Sequence, residues 1–303
     1  MNAKVILPFV MLTLPMTSWA TLLVYEPYSY SGLSNNTSIN GVASNATGTS
    51  GNYSTVGSGT ALYQSSGLSF ASLATTGGSV LQSVSSSGAM TDTYFAVNGS
   101  VTQQGTIYSS HLFNLTVAGT SAVSFANNKV RAALASGNSF MVAQEDGGAG
   151  IAQPGVSYFN TTGAATGSLT TGITYIAISK FTRVGQLVSS TAGVADLWIL
   201  SESAYTNWLT LGGGSEANLG IYANFTASNS YAGSTINGFT SGDSLQFFIR
   251  ADIGDTQSLQ VDELRYATTL AEVIPMVPEG GSSVFLAGAL AFLSVHRRRR
   301  GQA

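Results

Sequence analysis

A chain of 303 residues without cysteine has no disulfides and no thiol chemistry to draw on, so its stability rests on buried apolar surface, for which the length suffices. Charge is sparse and uneven: residues 21–277 carry thirteen acids against six bases, a net of −7, while Arg297, Arg298, Arg299 and Arg300 stand together near the end. An acidic body excludes nucleic acid as a partner, because phosphate contact needs a basic face.

The chain opens with Lys4, an apolar run over residues 5–15, and Ser18-Trp19-Ala20, which puts small residues three and one before a cut. That order predicts a helical secretory signal peptide over 1–20, cleaved after Ala20. Residues 31–58 turn to Asn, Ser, Thr and Gly, the composition of a flexible linker. Ile39, Val42, Tyr53 and Val56 punctuate that text, so a long ordered loop stays open as a reading.

Past residue 90 the signals are strands. TYFAVN, SSHLFNLTV, KVRAALAS, SFMVAQED, VSYFNT and ITYIAISKFTRV carry β-branched and aromatic residues between Gly, Asn and Ser. ADLWILSE, NLGIYANFTA, SLQFFIRAD and SLQVDELRYAT continue the series. In SLQFFIR, Leu245, Phe247 and Ile249 alternate with Gln246 and Phe248. In the last strand, regular alternation groups Leu259, Val261, Glu263 and Arg265 on one face, with Gln260, Asp262, Leu264 and Tyr266 on the other. Charge then falls on both faces, which places that strand near an edge or a mouth. AYTNWLTLG holds one or two helical turns and TTLAEVIP another. Many short strands with few helices predict an all-β antiparallel sandwich, and no fixed-period repeat suggests a solenoid.

The end of the chain reads as a membrane device. Residues 284–295 are uncharged, short for a spanning helix of about 20 residues, and are followed at once by Arg297 to Arg300, which would stay on the cytoplasmic side.

Chemistry is harder to find. His111 is the one histidine of the body, and with no second histidine and no cysteine there is no nucleophile–base pair of the triad type. A glycosidase needs two carboxylates flanking the scissile bond. The pairs Glu145-Asp146 and Asp262-Glu263 are adjacent and so point to opposite faces of a regular strand. Asp252 and Asp255 around Gly254, with Asp262 near in space, are the weak candidates for Ca²⁺, whose ligands are hard oxygens. Their spacing is not that of an EF-hand, and turn aspartates ordinarily close Asx turns. GGAG and GGGS lack the lysine of a phosphate loop. Aromatic platforms for a sugar are offered by Tyr28, Tyr30, Tyr53, Trp208 and Tyr231, which lie in loop-like text. No catalytic residue and no cofactor other than calcium is indicated.

Two resemblances add to this. Val277-Pro278-Glu279, a small polar step, an apolar run and a terminal arginine cluster resemble the PEP-CTERM class of bacterial sorting signals. VPEGGSS is also similar to the related VPDSG-type tail, with Gly280 where the namesake motif has its second proline. The resemblance implies an exosortase partner, transient inner-membrane anchoring, cutting near Val277, Pro278, Glu279 and Gly280, and release to the cell surface or medium. TYIAISKF, GVADLWILSESAYTNW, GDSLQFFIRAD and VDELRYATTLAEVIP resemble the concanavalin-like jelly roll, most of all its laminin-G-like form. That implies one β-sandwich over residues 21–275, between the signal helix at 1–20 and a tail at 276–303 with a hydrophobic transmembrane helix. The expected function is a non-catalytic cell-surface or matrix protein contacting carbohydrate or protein. A secreted glycoside hydrolase or lyase, and a permanently membrane-anchored structural protein, are the other readings.

Overall fold

The computed structural model describes residues 22–274, apart from 71–72, 74, 85–89, 98–104, 119–127, 136–139, 146–147, 153–163, 168–169, 171, 185–192, 232–243 and 252–255. The signal peptide with Ala20, the motif at Val277, Pro278, Glu279 and Gly280, and Arg297, Arg298, Arg299 and Arg300 lie outside the described residues. No helix among the described residues is long and apolar enough to cross a membrane.

Among the described residues, sixteen strands form two antiparallel sheets. They run β1 (Leu22–Glu26), β2 (Thr37–Ser38), β3 (Thr49–Gly57), β4 (Thr60–Gln64), β5 (Ser79–Val84), β6 (Met90–Val97), β7 (Gly105–Ala118) and β8 (Asn128–Ala135). Then follow β9 (Phe140–Glu145), β10 (Gly148–Ala152), β11 (Ala164–Gly167), β12 (Thr174–Val184) and β13 (Gly193–Ser201). After helices α1 (Glu202–Thr210) and α2 (Glu216–Tyr222) come β14 (Phe225–Tyr231), β15 (Ser244–Ala251), β16 (Thr256–Ala267) and a last turn, α3 (Leu270–Val273). The larger sheet is ordered β11-β14-β13-β12-β7-β16-β5-β4-β2, with β1 added beside β16; the smaller is β10-β9-β8-β15-β6-β3. The all-β sandwich read from the sequence is therefore present, and the expected helical turns are α1 and α3. Residues 31–58 are an ordered part of it, not a linker: β2 and β3 lie there, and Ile39 and Tyr53 are buried.

Period-two alternation sorts the larger sheet into two faces. Along β12, Tyr175, Ala177 and Phe181 enter the core that also holds Ile107, Phe113, Leu197, Ile199, Phe225, Leu259 and Val261. Ile176 and Ile178 point the other way, into a second core with Leu112, Leu200, Tyr205, Trp208, Leu219 and Val273. The helices and the β4–β5 link, through Leu68, Phe70 and Leu73, cover that second face. Ser201 caps α1 by accepting from the Ala204 amide. Trp208 is fixed by its indole N–H, which donates to the Ser215 carbonyl at 2.8 Å.

β16 is not an edge strand as its mixed faces suggested. It pairs β7 along one side and, on the other, β5 through Val261 and then β1 from Leu264. At the changeover, Asp262 faces Leu112 and Arg265 faces Ser110, so β16 carries one residue more than β7. This bulge moves the alternation by one. Leu264 and Tyr266 join Leu259 and Val261 in the first core, where an unbroken strand would have put Glu263 and Arg265.

Candidate functional site

The aromatic platforms proposed from the sequence are core residues. Tyr28, Tyr30, Tyr53 and Trp208 are all buried, so none can stack on a ligand in solution; Tyr231 closes β14, and its side chain is outside the described ones. Three of them are gathered by Glu26, itself buried. Its Oε2 accepts from Tyr30 Oη at 2.9 Å and from Tyr53 Oη, and its Oε1 from the Tyr28 amide at 2.5 Å. The polar text of residues 28–53 hid this, because a buried carboxylate made the hydroxyls of Tyr30 and Tyr53 acceptable in a core.

The calcium reading is likewise corrected for Asp262. Its carboxylate is buried and taken up by two backbone amides, Leu68 N to Oδ2 and Glu263 N to Oδ1, each at 2.7 Å. No group of three metal-ligating side chains occurs among the described residues; Asp252 and Asp255 lie outside them. Glu263, the bulge residue, accepts from the Thr76 amide at 2.7 Å and pairs with Arg265 at 2.8 Å, while Tyr25 Oη donates to it at 3.0 Å. The two adjacent acids thus hold opposite ends of the β4–β5 link, at Leu68 and Thr76. Arg265 also lies over the Tyr25 ring, 4.0 Å from its centroid. Burial pushes Asp262 up to about 8, helped by the charges of Glu263 and Glu26 and opposed by its two amides. Burial raises Glu26 as well.

His111 faces the interior between the sheets, tilted against Phe113 with ring centroids 5.9 Å apart. Burial pushes it down to about 4, so it is neutral at physiological pH. Glu145 ends β9, and Asp146 is outside the described residues.

What the sequence missed is a polar strip on the helix-bearing face of the larger sheet. Register places Tyr108 of β7, Lys180 of β12, Asp196 of β13 and Ser228 of β14 in one row across four strands. Glu216, at the start of α2, closes the row from above: Lys180 Nζ donates to its Oε1 and Tyr108 Oη to its Oε2, both at 2.5 Å. Burial raises Glu216, but the hydrogen bonds from Lys180 and Tyr108 and the Lys180 charge outweigh it and hold the carboxyl below its usual range. Ser228 Oγ donates to Asp196 Oδ1 at 2.6 Å. Trp198 follows Asp196 by two residues on the same face and is half-buried, with Gly220 of α2 set close to its indole nitrogen. The side chains of Lys180 and Glu216 remain 23% and 34% exposed, so solvent reaches the row. The alternation of VADLWIL shows Asp196 and Trp198 on one face opposite Leu197 and Ile199; their partners come only from cross-strand register.

No protein-family model and no curated relative matches this chain. Among solved structures it is similar to botulinum neurotoxin type C, described as entering cells by interaction with two ganglioside molecules, at 9% identity and TM-score 0.41. That match covers 78% of this chain and 48% of the toxin chain, so this chain spans about half of its length. It is also similar to lectin II from Ulex europaeus (7% identity, 82% and 99% of the two chains, TM-score 0.39). The marine PL-14 alginate lyase from Aplysia kurodai is a third (8%, 66% and 87%, TM-score 0.38). Neither these identities nor these TM-scores transfer any chemistry to this chain.

Proposed function

We propose that this is an exported protein of the cell surface or extracellular matrix, whose β-sandwich binds and does not cut. The observation that carries the reading is where the buried acids are engaged. Glu26, Asp262 and Glu263 hold backbone amides and tyrosine hydroxyls of the fold itself. Glycoside cleavage would need a carboxyl kept protonated by its surroundings and opposed by a second one across an open groove. Glu216, the carboxylate in reach of solvent beside Tyr108 and Lys180, is shifted the opposite way.

Export by the signal peptide and sorting by an exosortase-like peptidase belong to the same proposal and rest on the order of residues at the two ends. The position of α3 supports them. Val273 and Ile274 are buried in the second core, and Ser110 Oγ donates to the Val273 carbonyl. A cut near Val277, Pro278, Glu279 and Gly280 therefore removes none of the described core. Intact mass of the protein from the native host's membrane and extracellular fractions tests this. A body beginning at Thr21 and ending within 277–280, outside the membrane, is the expected outcome. Chains running to Ala303 and found in membranes alone would overturn the sorting reading and leave a permanently anchored protein.

A further inference from the structure

We propose that Leu211 and Ile221, on the α1–α2 hairpin, seat the body on the lipid bilayer that holds its tail; this rests on the reading of residues 284–295 as a membrane segment. Exposure comes first. Among the described residues the two most exposed large apolar side chains, Leu211 at 72% and Ile221 at 74%, both belong to this hairpin. They flank one contact: the Tyr222 ring packs on Gly212, where an added Cβ would stand 2.8 Å from it. Apolar residues scattered singly over a surface need no explanation. A leucine and an isoleucine brought to one contact of a helix pair, both turned to solvent, do.

Charge says what can cover them. Residues 203–215 and 217–224 carry none, and Glu216 between them is paired with Lys180. The remaining acid, Glu202, stands at the opposite end of α1 from Leu211. The hairpin can therefore leave water without stripping an unpaired ion, as contact with lipid requires. Position says which lipid surface. Tyr205 and Trp208 of α1, Leu219 of α2, and Val273 and Ile274 at α3 pack in the one second core. The chain thus leaves the body on the hairpin's side of the larger sheet, and residues 275–283 separate it from the uncharged run. At about 3.3 Å per residue that link reaches roughly 30 Å at most, so a tail in the membrane keeps this face beside it. Two aliphatic side chains hold a bilayer weakly by themselves; the tether turns their contact into an intramolecular one. Seating of this kind keeps residues 277–280 at the membrane surface until they are cut.

The test uses the chain's lack of cysteine. Leu211→Cys, Ile221→Cys, Val56→Cys and Leu290→Cys each place a single NBD dye on the full chain, reconstituted in phosphatidylethanolamine–phosphatidylglycerol vesicles. Part of the lipid is spin-labelled near the headgroup, since an interfacial contact lies only about 5–10 Å deep. Dyes at 211 and 221 should shift to the blue and lose emission to the spin label. The dye at Val56, exposed on the smaller sheet, should do neither. A blue-shifted dye at 290 beside unchanged dyes at 211 and 221 would overturn the seat and leave the tail in the membrane. No shift at 290 would overturn the seat together with the membrane reading of the tail. Equal quenching at 56 would show a body without a preferred face and overturn the hairpin's part. A shift at 211 and 221 that grows with the protein-to-lipid ratio and escapes the spin label would put a second copy there and overturn lipid as the partner.

Discussion

Glu263 has its backbone in the left-handed region, at φ +52°, where a non-glycine residue is held about 1–2 kcal/mol above its relaxed conformation. The fold keeps it there because that conformation turns the carboxylate onto the Thr76 amide, the Tyr25 hydroxyl and Arg265 at once. Gly at this position would relieve the backbone and lose all three, so the side chain decides the outcome. Glu263→Ala leaves Arg265, whose side chain is 13% exposed, without its partner in a poor solvent for charge. Breaking a buried pair in this way costs about 3–5 kcal/mol. Urea unfolding of the alanine variant should show a loss of that size with the m-value unchanged. A loss below about 1 kcal/mol, the range of exposed pairs, would mean that the ion pair is solvated and the bulge is held by packing alone. Asp262, one residue earlier, shows the same economy: Gly67 has no Cβ because one there would lie 2.5 Å from Asp262 Oδ2.

At the scale of elements, the link from β4 to β5 works as a strap across the second core. Its two ends are tied to adjacent residues of the β16 bulge, and between them Phe70 packs edge-on against Tyr205 of α1, with ring centroids 5.5 Å apart. Phe70 is almost fully buried, and removing a ring from such a site costs about 3–5 kcal/mol. Phe70→Ala should therefore lower stability by that amount and speed hydrogen exchange at the Leu68 and Thr76 amides more than at strands β12 and β13. Equal acceleration everywhere would show that strap and sheet open as one unit. What could be read from sequence divides along the same line. TYIAISKF and ADLWIL gave their strands away because alternation and flanking turn residues are local signals. The bulge at Glu263 could not be seen, since it exists only because β16 exchanges one neighbour, β5, for another, β1. Tyr30 and Tyr53 read as surface because the residue that takes up their hydroxyls, Glu26, acts through space. Lys180 and Asp196 became neighbours through register alone.

For the whole molecule these buried groups set how stability depends on pH, and two of them pull in opposite directions. An acid whose pKa is raised by folding binds its proton more tightly in the native state, so its contribution is fully present below the unfolded value, about 3.9 for Asp, and is lost as pH rises through the folded value. Asp262, pushed up to about 8, therefore makes the protein less stable between those two limits as pH increases. His111, pushed down to about 4, binds its proton less tightly when folded, so it makes the protein more stable as pH rises from its folded value to the unfolded one of about 6.5. Below that point the two effects offset each other; from there to about pH 8 Asp262 acts without opposition from His111. Glu26, raised by burial, adds to the Asp262 slope from the acid side. Thermal melts of wild type should accordingly show the melting temperature falling between about pH 6.5 and 8, with a slope in free energy on the order of 1 kcal/mol per pH unit. Asp262→Asn cannot ionise. It will be less stable overall, because one of the two amides now meets an NH₂ group, yet its melting temperature should stay level across the same window. The readout is thus the slope and not the absolute stability. An Asn variant that keeps the wild-type slope would show that Asp262 is ionised throughout, its two backbone amides outweighing burial, and would move the pH dependence to another group.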